Sequence, residues 1–381
     1  MASSTLAVNQ VAIIGGGIAG LTLAIALKRQ GIEVSVHEKY SHYQSHPTGF
    51  LIWSYAIKIL QDLGVPVDAF GAPLEVFRMH GRQGRFVVDM PIGEISRLNG
   101  ADSYEVNRLR LSQTLAAMVG DDLRLGDECV SVDSTPQQAM VTFADGRRLQ
   151  ADVVIACDGA NSVVRQFLHP DVALNMLGSG GWIAVIDQIP PGLPLGYQMD
   201  FWLPGCKAGV AQLGHGETRW YAAFTEMQAS ATVSKKQQIL SRLNPIPDLI
   251  QHCLDLTNED QMVYTQAGDL LALSSWYRDR VLMIGDAAHA TSPYAGMGAC
   301  AAIADAAALA ELIGSGRPVP EIFECFQQAR KPVADAVIQD SRQSLDRSTS
   351  AGVRAWIRDL MFKNIPEPKM QEIVQAMVSG H

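Results

Sequence analysis

The chain lacks the excess of basic residues that a nucleic-acid partner requires. Its 381 residues contain 30 Lys and Arg against 39 Asp and Glu, giving a formal net charge of −9, and no basic stripe is visible. Only 18% of the residues are charged and 48% are hydrophobic, so disorder and a coiled coil are excluded. We expect a globular protein of one large or two fused domains, with no nucleic acid among its partners.

The chain also lacks the cysteine spacings of a metal or redox site. No Cys-x-x-Cys or Cys/His pattern of the zinc-binding kind occurs. The cysteines are widely separated, at Cys129, Cys157, Cys206, Cys253, Cys300 and Cys325. This distribution indicates reduced thiols in a cytoplasmic protein, and predicts no metal.

Long hydrophobic runs are missing as well. Residues 1–10 show no basic flank followed by an apolar run, so we interpret them as a frayed end and not as a signal peptide. The most apolar later stretch, residues 299–313, is interrupted by Asp305 and Glu311. It falls short of the ~20 apolar residues of a membrane span, so no transmembrane segment is expected.

A glycine-rich turn near the N-terminus is the first segment that indicates a ligand. A short apolar run at residues 11–14 is followed by Gly15, Gly17 and Gly20, and then by apolar residues at helical spacing. In such a unit the first glycine permits a tight turn, the second lets a pyrophosphate approach the backbone, and the third allows close helix–strand packing. The helix N-terminus offers unpaired N–H groups to the same anion.

An acidic residue strengthens this interpretation. A strand-like alternation at residues 32–36 leads to Glu38, which follows Gly20 by 18 residues. A carboxylate at this place binds the hydroxyls of an adenosine ribose, so the segment predicts a dinucleotide site. The pattern leaves both FAD and NAD open as the dinucleotide.

A second motif lies far downstream. An apolar strand at residues 281–284 runs directly into Gly-Asp-Ala-Ala-His, residues 285–289. Pro293, Gly296 and Gly298 follow, and then an alanine-rich helix that carries an aspartate. This arrangement resembles the second FAD fingerprint of the class A, single-component flavin-dependent aromatic hydroxylases, the group typified by para-hydroxybenzoate hydroxylase.

Two further segments carry the same resemblance. Asp158, Gly159, Ser162 and Arg165 match the four fixed positions of that family's Asp-Gly-x-x-Ser-x-x-Arg motif. Arg108 begins a segment similar to the family's Arg-x-x-Leu helix start, whose arginine approaches the flavin. Two roles are open for Asp158, a direct cofactor contact or a tie between the sheet and the flavin loop. Two roles are also open for Arg165, an ion pair with a carboxylate or a contact with the nicotinamide dinucleotide.

The resemblance implies an α/β fold, in which a Rossmann-like FAD-binding domain interleaves with a smaller α+β substrate domain that contains an antiparallel sheet. The FAD-binding domain is predicted to comprise residues 1–72, 91–175 and 267–317, the substrate domain residues 73–90 and 176–266, and a C-terminal helical region residues 318–381. Local patterns predict a hairpin turn at residues 144–146 and a helix pair within residues 234–256.

The resemblance also implies FAD as the cofactor. The residues predicted to hold it are Gly15, Gly17, Gly20, Glu38, Lys39, Arg108, Val130, Asp158, Asp286, Pro293, Gly296, Met297, Gly298 and Ala299. Asp286 follows a strand, where ligands bind in open α/β sheets, and can accept hydrogen bonds from ribityl hydroxyls. The helix start after Gly296 can stabilise a reduced flavin anion by up to ~2 kcal/mol.

The substrate pocket is less well defined by the sequence. The candidates that line it are Gly49, Leu51, Trp182, Trp220 and Tyr294. Tyr294 is the aromatic residue most expected to face substrate, whereas the tryptophans of the predicted sheet also suit its core. Among the candidate catalytic residues, Tyr294 and His289, the histidine is more typical of a structural role than of proton transfer. The basic residues Arg78, Arg82, Arg85, Lys207 and Arg219 are interpreted as a solvated sheet face.

Some family features are missing. The Pro-Asn pair expected after Gly49 is absent, and Met297 and Cys300 stand in place of the usual Gln and Asn. Ile183 follows Trp182 where the family has an arginine. These departures leave the substrate and the movement of the flavin undetermined.

By resemblance, the chain is an FAD-dependent monooxygenase. It would use NADH or NADPH and O2 to hydroxylate a small aromatic or polycyclic substrate through a flavin C4a-hydroperoxide, with the protein positioning the ring and excluding water. A flavin oxidoreductase that inserts no oxygen and a non-catalytic flavin-binding protein are the alternatives. We expect a monomer or a homodimer.

Overall fold

The computed structural model describes residues 8–42 and 48–380. The expected frayed end therefore lies largely outside the described residues. The strands are β1 (Gln10–Ile14), β2 (Glu33–Glu38), β3 (Gly49–Ile52), β4 (Gly71–Pro73), β5 (Val76–His80), β6 (Phe86–Met90), β7 (Tyr104–Asn107), β8 (Leu123–Leu125), β9 (Cys129–Ser134), β10 (Ala139–Phe143), β11 (Arg148–Ala151), β12 (Val153–Ala156), β13 (Asn175–Ile186), β14 (Tyr197–Leu203), β15 (Cys206–Gly214), β16 (Glu217–Thr225), β17 (Val263–Asp269), β18 (Tyr277–Arg278) and β19 (Val281–Met283).

The helices are α1 (Ile18–Lys28), α2 (Ser54–Asp62), α3 (Ile92–Leu98), α4 (Arg108–Val119), α5 (Val163–Leu168), α6 (Lys235–Leu240), α7 (Asp248–Leu256), α8 (Asp286–His289), α9 (Gly298–Gly314), α10 (Val319–Ser348), α11 (Gly352–Lys363) and α12 (Glu367–Ser379). Within the described ranges, no helix is long and apolar enough to cross a membrane.

A six-stranded sheet forms the first half of the structure. Its order is β18-β19-β12-β1-β2-β8, and all its pairings except β18–β19 are parallel. The central strands β1 and β12 are buried along nearly their whole length, as expected for a parallel sheet covered on both faces. Helices α1 and α9 pack against each other beside this sheet.

A seven-stranded sheet forms the second half. Its order is β17-β13-β16-β15-β14-β5-β6, and every pairing is antiparallel except β14–β5. Because side chains alternate between faces, its central strands have two different surfaces. The outer face packs with α7 around Trp220. The inner face contacts Tyr294, which belongs to the first half of the structure, and Leu345, which belongs to α10.

Several predictions from the sequence are confirmed by this architecture. The α/β class, the antiparallel second sheet and the helices after residue 318 are present. The predicted hairpin joins β10 to β11, and α6 and α7 form the predicted helix pair. The interleaving and the residue boundaries of the two domains stay a prediction.

Candidate active site

The three sequence motifs meet at one edge of the parallel sheet. In the register of the central strands, Ile14 of β1 lies beside Ala156 of β12, and Ala156 lies beside Met283 of β19. Each motif begins one or two residues after its strand ends. The Gly15 turn, the Asp158 loop and the Asp286 segment therefore share the carboxyl edge, where open α/β sheets bind ligands.

The glycine turn is shaped for close backbone approach. Gly15 has φ +108°, and a Cβ there would lie 2.3 Å from the Cys157 carbonyl oxygen, so only glycine fits. A Cβ on Gly20 would lie 2.1 Å from the Gly15 oxygen, which explains the close helix–strand packing. Gly17 differs, because a Cβ there would meet nothing within 4 Å. The turn thus leaves open space in front of Gly17 at the N-terminus of α1.

Glu38 closes the same turn from the side. Its Oε2 accepts a hydrogen bond from the backbone N–H of Gly16 at 2.8 Å, and its Oε1 accepts one from Tyr40 at 3.1 Å. Each carboxylate oxygen can accept more than one hydrogen bond, so Glu38 keeps acceptors for a ribose. Lys39 is exposed and its Nζ lies 5.1 Å from the Tyr40 ring centroid.

The Asp158 loop starts the short helix α5. Asp158 Oδ2 accepts hydrogen bonds from the backbone N–H groups of Val163 and Val164, at 2.8 and 3.2 Å. Its Oδ1 is buried without a hydrogen-bond partner among the described residues. Burial raises the pKa of this carboxyl, and its hydrogen bonds oppose the shift. Asp158 therefore ties the loop together and still presents an oxygen with unused hydrogen-bonding capacity.

Arg165 connects two of the motifs. Its guanidinium donates to the carbonyl oxygen of Ala287 at 3.2 Å and to that of Ala160 at 2.5 Å. The side chain is buried, and it forms no ion pair with any residue that the structure describes. The carboxylate pairing considered from the sequence is therefore corrected to a clamp on two carbonyl groups.

Asp286 lies at the bottom of a cleft. Solvent reaches its side chain, although protein surrounds it closely enough for burial to raise the pKa of the carboxyl. The positive charges of His289, Arg108 and Arg165 act in the opposite direction. Arg108 begins α4 and is exposed, while Asn107 caps that helix by accepting from the N–H groups of residues 109 and 110. A carboxylate and an arginine thus face one accessible cleft.

The loop before α9 completes the cleft. Pro293 begins a 3-10 turn that ends at Gly296, which has φ +66°. Met297 precedes the first residue of α9, and residues 296–299 are all partly accessible. The loop therefore presents backbone and small side chains at a helix N-terminus, whose partial positive charge favours an anion.

Val130, which was also predicted to hold the cofactor, lies on β9 and is 47% exposed.

His289 belongs to a buried charged group. Its Nε2 lies 2.5 Å from Asp305 Oδ2, and Arg330 donates to Asp305 Oδ1 at 2.8 Å. Burial lowers the pKa of His289, but the charge and hydrogen bond of Asp305 outweigh this and raise it. Asp305 also accepts from the N–H of Gly285, so the group fixes the Gly-Asp-Ala-Ala-His segment. These contacts favour a structural role for the histidine.

Across from this loop, the inner face of the seven-stranded sheet carries a buried polar cluster. Asp200 is completely buried, and Tyr221 donates to both of its oxygens at 2.9 Å. Lys207 Nζ lies 3.2 Å from Asp200 Oδ2. The same ammonium lies 5.8 to 6.0 Å from the ring centroids of Trp202, Tyr221 and Tyr294, which places it among aromatic faces.

Tyr294 joins the loop to this face. Its hydroxyl forms a hydrogen bond with Ser179 Oγ, and burial raises the pKa of the phenol to about 12. The hydroxyl is therefore neutral at physiological pH. Tyr294 lies where the motif loop meets the sheet, and its contact with substrate stays a prediction.

The segment around Gly49 pairs with β7, whose Glu105 forms an ion pair with the seven-stranded sheet. Arg219 binds Glu105 with two hydrogen bonds, at 2.5 and 2.8 Å, and both side chains are buried. A Cβ on Gly49 would lie 2.8 Å from the Val106 carbonyl oxygen and 3.0 Å from Arg219 Cδ, so the glycine allows both to approach closely. Leu51, two residues on, is buried on β3. The segment that resembles the family's flavin-facing strand begins at Ser41, and its residues 43–47 lie outside the described residues.

Two tryptophans predicted to line the pocket lie elsewhere. Trp220 is completely buried on the outer face, and its Nε1 donates to Thr257 at 2.8 Å. Trp182 occupies the same face and borders a surface depression of about 490 Å³ beside α6. Because Tyr294 meets the inner face, the prediction that these two rings line one pocket with it is corrected: both belong to the opposite surface.

A second correction concerns the basic residues. Arg82 and Arg85 are exposed, as interpreted from the sequence, whereas Arg78 is partly buried and donates two hydrogen bonds to Asp89, each of 2.7 Å. Lys207 and Arg219, however, are largely buried and point at the inner face. The Asp200 cluster was not predicted from the sequence, although the polar residues at alternate positions 198 and 200 of a buried strand were the available signal.

The residues of the cleft fit FAD. The open space before Gly17 suits a pyrophosphate, and the unpartnered Oδ1 of Asp158 and the accessible carboxylate of Asp286 are acceptors for cofactor hydroxyls. Arg108 supplies a positive charge at the same place. A Cβ on Gly296 would meet nothing within 4 Å, so the loop before α9 has open space beside it for a flat ring.

Comparison with known proteins agrees with this fit. The model of the FAD binding domain family matches residues 9–341. The aurachin C monooxygenase/isomerase of Stigmatella aurantiaca is 31% identical over 362 residues, covering 93% of each chain. The 2-heptyl-3-hydroxy-4(1H)-quinolone synthase of Pseudomonas aeruginosa UCBPP-PA14 is 26% identical, covering 97% of this chain and 98% of the relative.

A structural comparison gives the same fold. The crystal structure of Klebsiella pneumoniae HpxO complexed with FAD and uric acid has a TM-score of 0.89 at 20% identity, covering 97% of each chain. The chain therefore belongs to the FAD binding domain family. Within it, the chain is an FAD-dependent monooxygenase of the aromatic hydroxylase type, which confirms the class and cofactor expected from the sequence.

Proposed function

We propose that this enzyme uses NADH or NADPH and O2 to hydroxylate a flat, fused-ring nitrogen heterocycle of the quinolone type. Two of the similar proteins are named for aurachin C and for a 4(1H)-quinolone, and HpxO was crystallised with uric acid, which is also bicyclic. The observation that carries the proposal is the buried Lys207 cluster, which lies on the inner face near Tyr294.

The chemistry of this cluster suits a carbonyl or an enolate oxygen on the substrate ring. An ammonium has three N–H donors, and within the described chain Asp200 is the one ion-pair partner of Lys207. The remaining donors lie among aromatic rings that can pack against a flat ligand. Lys207 would therefore bind the substrate oxygen, and Asp200 with Tyr221 would hold the ammonium in place.

The protein's other tasks are to bind FAD, to orient the substrate and to exclude water. When bound, FAD supplies the redox chemistry that accepts hydride and activates oxygen. Glu38, Asp158 and Asp286 would hold its hydroxyl groups, and Arg108 its phosphates. Tyr294, held by Ser179, would orient the substrate ring. The buried thiols support a reducing compartment such as the cytoplasm.

Purification and turnover test the proposal. We expect yellow protein with one FAD per chain, and NADH or NADPH oxidation that a 4-hydroxyquinoline accelerates at least tenfold. With labelled O2, the product should be heavier by one labelled oxygen. A product changed only by two hydrogens would assign the chain to the oxidoreductases that insert no oxygen, and protein unable to bind FAD would refute both functions.

Substitution of Lys207 tests the substrate site. Lys207→Met removes a charge-assisted hydrogen bond worth about 1.5–3 kcal/mol, so KM for the quinolone should rise about 10- to 100-fold. Because the variant also leaves the buried Asp200 carboxylate without its ion-pair partner, its melting temperature should fall, while the FAD content of the folded protein should remain unchanged. Lys236→Met, on the helix that covers the outer face, is the matched control and should leave KM unaltered. An unchanged KM in Lys207→Met would remove this residue from substrate binding.

A further inference from the structure

Helix α11 exposes an apolar face that no other part of the described chain covers. Its apolar residues recur at spacings of three and four, which places them on one side of a helix. Their exposed fractions are large: Val353 70%, Trp356 47%, Ile357 45%, Leu360 46% and Met361 68%. We call these five residues the α11 patch. Contiguous apolar surface of this kind marks an interaction site.

The helix itself is firmly attached by its opposite face. Arg358 is buried and donates to the Trp202 carbonyl oxygen at 2.8 Å, and the Phe362 ring lies edge-on to Trp202 with 5.7 Å between centroids. Asp359 accepts from the backbone N–H of Arg82 at 2.9 Å. The patch is therefore a fixed part of the surface and not a frayed end.

The charges around the patch are positive. Arg354 and Lys363 belong to the helix, and Arg82 and Arg85 lie on the adjoining turn; all four are exposed. None of them forms an ion pair with a residue in the described ranges. Asp359, the single acid of the helix, is already bonded to Arg358. This cationic border contrasts with the net charge of −9 for the whole chain.

We propose that the α11 patch docks the enzyme on the surface of an anionic lipid bilayer. An amphipathic helix with Trp, Ile and Leu on one face and Arg and Lys beside it lies in the membrane interface, with its apolar face below the headgroups. A second copy of the chain fits less well, because a two-fold contact through this patch would bring the positive charges of the two copies close together. Anionic headgroups complement them instead.

The position of the patch connects it with the candidate active site. Trp202, which α11 contacts, also lies beside Lys207 on the inner face of the sheet. Docking would therefore turn this side of the sheet toward the bilayer, with the ~10 Å diameter of α11 between Trp202 and the lipid surface. The docking itself does not depend on the proposed reaction, and it is measured without turnover.

Sedimentation of the FAD-loaded enzyme with vesicles tests docking. Vesicles of phosphatidylcholine and phosphatidylglycerol at three to one should bind the protein at low salt, and binding should weaken as salt rises. Trp356→Gln with Leu360→Gln should reduce the binding constant at least tenfold while FAD content and melting temperature stay the same. Leu195→Gln with Leu271→Gln, two exposed leucines outside the patch, is the matched control and should bind as the unaltered enzyme does.

Charge reversal gives an independent test. Arg354→Glu with Lys363→Glu should weaken binding to anionic vesicles and leave any binding to pure phosphatidylcholine unaltered. Failure of the unaltered enzyme to bind anionic vesicles would overturn the proposal. So would analytical ultracentrifugation that shows a dimer dissociated by the Trp356 and Leu360 substitutions, since the patch would then be a contact between copies.

Discussion

Single buried charges in this protein are stabilised by specific partners. The His289, Asp305 and Arg330 group is the clearest case, because all three charges meet at one completely buried carboxylate. Burial alone would raise the pKa of Asp305, but His289 and Arg330 outweigh it and lower the pKa. The pKa of His289 is raised, so the ionised pair is the stable form in the folded protein.

This pair predicts a pH-dependent stability. The ordinary pKa values are 3.8 for Asp and 6.5 for His, and folding lowers the first and raises the second. The contribution is complete between those two values, is lost as pH falls through the lowered pKa of Asp305, and is lost as pH rises through the raised pKa of His289. The melting temperature difference between the unaltered protein and His289→Gln should follow this profile.

His252 provides the control for that experiment, since it is exposed on α7. His252→Gln should change the melting temperature by a small amount at every pH. If the effect of His289→Gln were equally independent of pH between 4 and 10, the charged pair would not be the source of stability.

At the scale of elements, two glycines at the turn between β1 and α1 have different roles, Gly20 in folding and Gly17 in binding the ligand. Gly20 is needed for the fold, because its hydrogen faces the Gly15 carbonyl oxygen at a distance that no Cβ tolerates. Gly17 has φ −81°, which any residue adopts, and faces open space. The glycine at this position is therefore explained by the ligand and not by the protein's own packing.

Substitution by alanine should separate the two roles. Gly17→Ala should keep the melting temperature of FAD-free protein within about 2 °C, while the Kd for FAD rises at least tenfold because the methyl group occupies the pyrophosphate's space. Gly20→Ala should instead lower the melting temperature or prevent folding. Fluorescence titration with FAD and thermal unfolding measure both effects. Normal FAD affinity in Gly17→Ala would place the pyrophosphate elsewhere.

At the scale of the whole molecule, ion pairs connect the seven-stranded sheet to α4 and to β7, which belongs to a separate three-stranded sheet of order β3-β7-β4. Arg219 of β16 binds Glu105 of β7, and Arg110 of α4 binds Glu217 at the start of β16. Asn107 also donates to Glu217 at 3.0 Å. These contacts fix the inner face of the antiparallel sheet relative to the residues that begin α4, and so fix the substrate side relative to Arg108.

Removing one partner of the Arg219 pair should be costly. Arg219→Met leaves the Glu105 carboxylate buried without compensation, and should lower the free energy of unfolding by about 3–5 kcal/mol. The double variant Arg219→Met with Glu105→Leu should recover most of that loss. Urea unfolding measures both variants. Equal destabilisation by the single and double variants would show that the packing of Arg219, not its charge, is what matters.

Features that depend on residues close together in the sequence were easier to predict than features that depend on distant residues. The cofactor segments were predictable because each is a short strand followed by a turn with its own residue requirements, as at Gly15 and Asp286. The two faces of the seven-stranded sheet could not be assigned from the sequence. Trp182 and Lys207 both lie on strands with many apolar residues, and the alternation along a strand gives two faces without telling which one meets the flavin loop.

The sequence by itself determined the dinucleotide turn and the helical C-terminal region through local backbone geometry and periodicity, and the α/β class and the other two cofactor motifs through the resemblance to the flavin-dependent hydroxylases. Only the tertiary structure decided that Lys207 and Asp200 lie on the side of Tyr294, that Trp182 and Trp220 lie on the other, and that α11 leaves an apolar face exposed. Those outcomes depend on strand register and on contacts between segments more than 100 residues apart, such as Ser179 with Tyr294 and Trp202 with Arg358. The free energy of such contacts is not carried by any one stretch of chain.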